Sequence, residues 1–184
     1  MAGVDRILLS TVAYRPPEEA FPYVRSFTEY PRYTEHLKDV SVNGDGDAGS
    51  VYDLRFAWWK LSYTARSRVT NVSPPESLQW QLVNDLDAHG EWRIEPEPEA
   101  VPDGGDGDGD SETASRIYFE ASYDPYSANK NAISLPRFVS LDRVVDKVEP
   151  RLLREAETVV ERLVADIEGR ETPRDVELTI HEMP

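Results

Sequence analysis

Apolar and polar residues alternate along several consecutive segments between residues 51 and 123. A period of two places every second side chain on the same face of a β-strand. These segments therefore predict consecutive antiparallel strands in a sheet with one buried and one solvated face. The apolar side of the segments carries Tyr52, Leu54, Phe56, Trp58, Leu61, Tyr63, Ala65, Ser67, Val69, Leu78, Trp80, Leu82, Trp92, Ile94, Ile117, Phe119, Ala121 and Tyr123.

The N-terminal part of the chain predicts a strand, two short helices and another strand. Residues 7–14 are mostly apolar and end at a pair of prolines, which is typical of a short strand. Residues 16–27 begin with Pro-Pro-Glu-Glu and then repeat apolar residues at helical spacing, which predicts an amphipathic helix. Residues 33–37 favour a second short helix. Residues 40–42 predict a strand that stops at the Asn-Gly-Asp-Gly-Asp turn at 43–47.

The C-terminal part changes to a helical period. From about Pro136 one continuous apolar stripe predicts a long helix, which Gly169 should end and Pro150 should kink or divide. A short strand at 176–180 can follow in the tail. The stripe consists of Phe138, Leu141, Val144, Val145, Val148, Leu152, Ala156, Val159, Leu163 and Ile167.

This element order predicts the fold class. A sheet with one apolar face and a helix with one apolar stripe each need a cover, and each covers the other. We predict an α+β fold in which a curved antiparallel sheet of about six to seven strands wraps around the long C-terminal helix, with two short helices after the first strand. We interpret residues 1–170 as a single domain and residues 171–184 as a C-terminal extension. A strongly twisted sheet of this kind can leave a space beneath the helix.

The charge balance indicates an acidic surface. Thirty-five acidic residues and twenty basic ones give a net charge of −15, and the basic residues are mostly arginine. Such a charge makes a compact chain repel itself in dilute buffer, whereas at molar salt the Debye length falls to about 3 Å and the repulsion is largely screened. We interpret this as the surface of a protein from a very salty cytoplasm. The same charge argues against nucleic acid as a partner.

Composition removes several other classes of function. The chain contains no cysteine, which excludes disulfides, thiolate catalysis and cysteine metal sites. No apolar run approaches the ~20 residues that cross a bilayer, and residues 1–5 do not begin a signal peptide, so we expect a cytoplasmic protein. The sequence leaves the oligomeric state open.

Three segments carry a resemblance to a known superfamily. They are the predicted helix at 21–33, which ends in Tyr-Pro-Arg-Tyr, the segment Pro-Glu-Ser-Leu-Gln-Trp at 75–80, and Gly-Glu-Trp-Arg-Ile at 90–94. With the element order, they make the chain similar to the SRPBCC, or START-like, superfamily over roughly residues 7–167. Within this superfamily, the chain resembles most the polyketide cyclase/dehydrase-like and coenzyme Q-binding branch. The acidic insertion at 103–110 and the extension after Gly169 depart from that pattern.

The resemblance implies a helix-grip fold that holds a hydrophobic ligand between the sheet and the long helix. Members of the superfamily bind lipids, sterols, quinones and polyketides; some are cyclases and many have no enzymatic activity. In this chain the aromatic and aliphatic side chains of the predicted face either line such a cavity or fill the core, and both interpretations are open. The candidate ligand-binding residues are Tyr33, Tyr52, Leu54, Phe56, Tyr63, Trp80, Trp92, Phe119, Tyr123, Phe138, Leu141 and Val145.

Other candidate chemistry is sparse. His36 lies where the mouth of a cavity is expected and is either an acid/base for cyclisation or dehydration, or a plain surface residue. The other two histidines stand in unrelated contexts, and the acidic run at 103–110 lacks the glycine and glutamate of a calcium loop, so no metal site or cofactor is expected. Arg66 and Arg68 on one strand favour cross-strand ion pairs over an anion clamp.

We therefore predict that the protein binds a small hydrophobic ligand, such as a lipid, an isoprenoid quinone or a polyketide-like molecule, without catalysis. Two alternatives remain open. The first is a cyclase/dehydrase-like enzyme in which Tyr63, His36 or a buried acid handles protons. The second is an interaction module with a filled core and an exposed apolar patch.

Overall fold

The computed structural model describes residues 5–58, 61–100, 113–127, 141–173, 176 and 179–183. In this part of the chain the strands form one curved antiparallel sheet, in the spatial order β2-β3-β4-β5-β6-β7-β1-β8. The strands are β1 (Asp5–Ala13), β2 (Leu37–Asn43), β3 (Val51–Trp58), β4 (Leu61–Ser73), β5 (Ser77–Leu82), β6 (Asp87–Pro96), β7 (Ser115–Asp124) and β8 (Thr179–Met183).

Within the described ranges, two α-helices accompany the sheet. Helix α1 spans Pro17–Arg25 and helix α2 spans Leu141–Glu168, and short 3-10 helices lie at Phe27–Arg32, Pro98–Ala100 and Pro125–Ser127. The predicted fold class, a curved antiparallel sheet with a long C-terminal helix, is confirmed. None of the helices in the described ranges is both long enough and apolar enough to span a membrane.

The second short helix differs from the prediction. A 3-10 helix occupies Phe27–Arg32, directly after α1, and Leu37 already begins strand β2, where it pairs with Phe56. The expected helix at 33–37 was therefore wrong. Five residues are too few to form a stable helix by themselves, and pairing with the edge of β3 provides hydrogen bonds that a single helical turn lacks.

Pro150 was predicted to kink the helix or to divide it, and helix α2 continues through Pro150 without a break, which excludes the division. Its end matches the prediction. Gly169 adopts φ +70°, its N–H donates to Asp166 O, and Arg170 N–H donates to Ala165 O at 2.8 Å. This pair of hydrogen bonds is a Schellman motif, in which glycine takes the left-handed position at no steric cost.

The ends of the last elements also shift relative to the prediction. The tail strand lies at Thr179–Met183, where it pairs with β1 and raises the number of strands above the six to seven expected. Strand β6 runs to Pro96, two residues beyond the predicted apolar alternation. The acidic run at 103–110 lies outside the described residues, as does the predicted joint at 59–60.

One face of the sheet packs against α2, and we call it the inner face. It carries the alternating apolar residues of β3 to β7 together with Leu9, Thr11 and Ala13 of β1. The last three turns of α2 contribute Val160, Leu163, Val164 and Ile167, all of which are buried in one hydrophobic core with the sheet. Helix α1 closes the same core with Ala20, Phe21 and Val24. Burial of these side chains positions the C-terminal end of α2 across the sheet.

Candidate functional site

The inner face is packed at one end and only half-buried at the other. Val69, Leu78, Ile94 and Ile117 are each at most 2% exposed, and we call their part of the sheet the closed end. Further along the same and neighbouring strands some side chains are more exposed: Phe56 is 37% exposed, although its register partner Leu37 is buried. We call this part of the inner face the half-buried end, and it includes Phe56, Tyr63, Leu82, Ala121 and Tyr123. Trp80 and Phe119 lie between it and the closed end.

An aromatic wall lies between the two ends. The indole of Trp80 stacks on the ring of Phe119, with centroids 6.2 Å apart and planes 12° apart. Trp92 packs against Phe119 at 4.8 Å and meets Tyr30 edge-on at 6.4 Å. Trp92 is buried, whereas Trp80 and Phe119 are half-buried. The wall therefore presents two large apolar surfaces that the fold leaves partly uncovered.

Gly90 allows the stacking of Trp80. A Cβ added at Gly90 would lie 2.7 Å from Trp80 Cε2 and closer than 3.0 Å to the carbonyl oxygen of Glu120. The indole can therefore reach over β6 towards Phe119 only because the intervening residue has no side chain. Gly90 belongs to one of the three segments that carry the family resemblance, but the local sequence pattern does not indicate this role.

Tyr63 has an unusual environment at the half-buried end. Its hydroxyl oxygen is buried and has no hydrogen-bond partner among the described residues. The pKa of Tyr63 is raised above its ordinary value. The main cause is burial of the phenol, and the second is the negative charge of Asp85. Its register partner is Phe56 on β3, which places the two rings side by side on the inner face. Tyr63 thus keeps its proton at neutral pH.

Tyr33 and Tyr52 lie in well-packed surroundings. The hydroxyl of Tyr33 donates a 2.6 Å hydrogen bond to Asp166 of α2, and burial, followed by this hydrogen bond, raises the pKa of Tyr33. The ring of Tyr52 packs edge-on against Phe27 at 5.1 Å. Both tyrosines belong to the buried core, and neighbouring Leu54 packs against it.

For the remaining candidate ligand-binding residues, the structure describes few side-chain contacts or none. Tyr123 is half-buried on β7, where it pairs with Asp5 of β1 and Ala88 of β6. The backbones of Leu141 and Val145 lie in α2, but their side chains are outside the part that the structure describes, and Phe138 is outside it altogether. The structure therefore brings Trp80, Trp92 and Phe119 together and places Phe56 beside Tyr63, whereas Tyr52 packs against Phe27. The contribution of the first turns of α2 stays a prediction.

A polar cluster joins α2 to the segment before β2, next to the half-buried end. His36 Nε2 lies 3.3 Å from Glu155 Oε1, and the hydroxyl of Thr34 donates to Glu155 Oε2. The imidazole meets the ring of Trp58 edge-on at 6.5 Å, and the guanidinium of Arg151 lies 4.3 Å from the centre of the same ring. We call these five residues the entrance cluster.

Of the entrance cluster, the sequence indicates only His36 as candidate chemistry, as an acid/base. Nothing in the sequence pattern indicates a role for Thr34, Arg151 or Glu155. The only available signal was that Arg151 and Glu155 are four residues apart and so share one face of a helix. Thr34 and Glu155 are 121 positions apart, and nothing in either local pattern indicates that they meet.

The outer face of the sheet is polar. Arg66 and Asp53 are register partners, and their side chains form an exposed ion pair at 2.8 Å, as expected for cross-strand charges. A shallow groove of about 470 Å³ crosses β4 to β7 on this face. Within the described residues no group of histidine and acidic side chains could hold a metal ion. The polar side chains that line the groove are Thr70, Gln79, Gln81, His89, Glu91, Glu120 and Ser122.

Comparisons with known proteins agree with this architecture. A family model described as "Polyketide cyclase / dehydrase and lipid transport" matches residues 9–168. No curated protein matches the chain.

Several solved structures share the fold at low sequence identity. The Zhui aromatase/cyclase from Streptomyces sp. R1128 superposes with a TM-score of 0.63 at 10% identity, covering 90% of this chain and 94% of its own. Ara h 8.0201 gives a TM-score of 0.59 at 12% identity, covering 91% and 100%. The ginseng major latex-like protein 151 from Panax ginseng gives 0.56 at 10%, covering 89% and 98%.

Proposed function

The chain belongs to the polyketide cyclase/dehydrase and lipid transport family, and we propose that it binds a small hydrophobic ligand between the inner face of its sheet and helix α2, without catalysis. The ligand classes that we consider are a lipid, an isoprenoid quinone and a polyketide-like molecule. Trp80, Phe119, Phe56 and Tyr63 supply its contacts from the sheet.

The unequal burial of the inner face supports this proposal. A face that only fills a core should be buried along its whole length, because each large aromatic side chain left half-exposed forfeits part of its hydrophobic stabilisation. Here the closed end is at most 2% exposed, but Phe56 is 37% exposed, and Trp80 and Phe119 are half-buried. A ligand that covered about 150 Å² of this apolar surface would gain roughly 4 kcal/mol from it.

The proposal is tested with a matched pair of charged variants. Phe56→Glu puts a carboxylate at the half-buried end, where Phe56 is 37% exposed. Val83→Glu puts one just after β5, where Val83 is 40% exposed. We expect Phe56→Glu to weaken binding of the neutral fluorescent probe N-phenyl-1-naphthylamine by at least about tenfold, because an unpaired charge is costly next to an apolar ligand. Val83→Glu should bind as the wild type does.

Native mass spectrometry of freshly purified protein provides an independent test, since a bound lipophile adds a discrete mass. Equal probe affinity in wild type, Phe56→Glu and Val83→Glu would argue against a site at this end of the sheet. Failure of the wild type to bind any lipophilic probe would argue against the function itself.

A second candidate function is an enzyme of the cyclase/dehydrase kind, and the entrance cluster favours it. A carboxylate beside one nitrogen of a histidine orients the ring and leaves the other nitrogen to accept a proton. Glu155 stands in this relation to His36 at 3.3 Å, and one solved protein with the same fold is an aromatase/cyclase.

The enzyme hypothesis is tested by measuring dehydration of a substrate directly. Wild type and His36→Ala are incubated with a short poly-β-ketone thioester, and loss of water from it is followed by mass spectrometry. Dehydration by the wild type that His36→Ala lacks would establish catalysis. Equal, background rates in both proteins would favour binding alone.

A further inference from the structure

Resting on the proposed function, we propose that the hydroxyl of Tyr63 donates a hydrogen bond to an uncharged acceptor oxygen, such as a ketone or quinone carbonyl, on the bound ligand. The observation behind this inference is that the oxygen is buried yet has no partner among the described residues. Leaving a buried hydroxyl unpaired costs about 1–3 kcal/mol, so such groups are rare unless something else satisfies them.

The position of Tyr63 fits a contact with a ligand. It lies on the inner face at the half-buried end, beside Phe56, which is 37% exposed. Strand β5 ends at Leu82, which pairs with Ser67, so the part of β4 that carries Tyr63 extends beyond its neighbour. The hydroxyl oxygen itself is buried, so the polar group of a ligand bound against these rings reaches it by replacing the protein atoms that now cover it.

The chemistry of the site determines which acceptor is suitable. The phenol keeps its proton, so it offers a donor, and a ligand must supply the lone pair. Asp85 acts on Tyr63 through its negative charge, and the chain carries a net charge of −15. A carboxylate or sulfonate on the ligand would meet this negative potential in a poorly solvated place, whereas a neutral carbonyl would not. The site therefore favours neutral, carbonyl-bearing aromatic or polyunsaturated ligands over anionic ones.

A pair of isosteric ligands tests the inference. The ketone 2-acetonaphthone and the hydrocarbon 2-ethylnaphthalene have nearly the same shape and differ chiefly in one carbonyl oxygen. Binding of each is measured by quenching of tryptophan fluorescence in wild type, Tyr63→Phe and Tyr118→Phe. Tyr118 is the control because it lies on the outer face, where Arg93 stacks over its ring at 4.4 Å.

We expect Tyr63→Phe to bind the ketone about fivefold more weakly than the wild type, in line with one neutral hydrogen bond, and to bind the hydrocarbon within twofold of it. Tyr118→Phe should leave both affinities unchanged. In the infrared spectrum, the carbonyl stretch of the bound ketone should lie at lower frequency in the wild type than in Tyr63→Phe. The anion 2-naphthoate should bind more weakly than the ketone.

The outcomes separate this inference from the function on which it rests. If both naphthalenes bind and Tyr63→Phe weakens neither or weakens both equally, hydrophobic binding stands and the role of the hydroxyl is refuted. If neither compound binds to the wild type, the proposed function fails, and the inference fails with it.

Discussion

The substitution Gly90→Ala tests the arrangement of the aromatic wall. The added methyl group would lie 2.7 Å from Trp80 Cε2 and closer than 3.0 Å to Glu120 O. Both distances are shorter than real Cβ contacts, so the indole or strand β7 must move. The carbonyl belongs to the backbone of a paired strand and can shift little, which leaves displacement of Trp80 as the main response.

The magnitude follows from two contributions. Forcing an extra methyl group into a packed site costs about 1–3 kcal/mol. Losing the stacking between Trp80 and Phe119 costs about 0.5–1.5 kcal/mol more. We therefore expect Gly90→Ala to lower the free energy of unfolding by about 2–4 kcal/mol, a large fraction of the ~5–15 kcal/mol typical of a domain.

Urea denaturation followed by tryptophan fluorescence measures this loss, and near-ultraviolet circular dichroism reports the change in the packing of Trp80. A double-mutant cycle with Trp80→Leu identifies the cause, because removing the indole should make Gly90→Ala less costly by at least about 1 kcal/mol. An alanine variant as stable as the wild type would refute the geometry. A cost that is the same with and without the indole would assign the clash to β7 alone.

Three further predictions concern the core, the alkaline range and the charge. Thr11 is 1% exposed and its hydroxyl has no partner among the described residues, so Thr11→Val should raise the free energy of unfolding by about 1 kcal/mol in urea titrations. A decrease of similar size in the free energy of unfolding would instead indicate that the hydroxyl binds a water molecule. The folded-state pKa of Tyr33 is raised above its ordinary value of 10.0, so the stability that this phenol contributes is present below about pH 10 and is lost as pH rises towards the folded pKa. Tyr33→Phe should flatten that alkaline decline in pH-dependent melts, and an unchanged slope would assign it to other groups. Because the net charge is −15, the melting temperature should rise from low to molar KCl and equally in NaCl, whereas a flat series would contradict an adaptation to salt.

The alternation of residues was enough to predict which face of the sheet each side chain occupies. It placed Arg66 and Asp53 on the solvated face, where they form an ion pair, and Ile94 and Ile117 on the buried one. These features depend on a period that is local in the chain. Gly169 is predictable for a similar reason, because the end of a helix needs a residue that tolerates positive φ.

The site itself is less predictable, because its features depend on register and on distant contacts. The pattern gives Trp80 and Phe119 the same face, but their stacking requires that Gly90 lie between them in the neighbouring strand. The hydroxyl of Tyr63 is buried without a partner among the described residues, which depends on the packing around it and not on its place in the alternation. The contact of His36 with α2 likewise depends on how far along the sheet the helix lies. Alternation carries no information about any of these distances.

Helix α2 is held by different kinds of interaction at its C-terminal end and around Glu155, and this difference favours entry of the proposed ligand near the entrance cluster. At the C-terminal end, Leu163 and Val164 are completely buried, and Glu168 accepts a hydrogen bond from Tyr14 N–H at its side chain and one from Arg15 at its carbonyl oxygen. Separating these groups would expose core surface and leave buried polar groups unpaired.

Around Glu155, 13 residues before Glu168, the contacts described between α2 and the segment before β2 are polar and solvent-accessible. The His36 and Glu155 side chains are 28% and 34% exposed, so water can replace the partner of each as it leaves. Local opening has its lowest cost where few apolar contacts are broken and polar groups can be resolvated. Since Trp58 and Phe56 border this region on β3, the hydrophobic ligand that we propose would meet the half-buried end of the inner face on entering there, while the closed end keeps the fold intact.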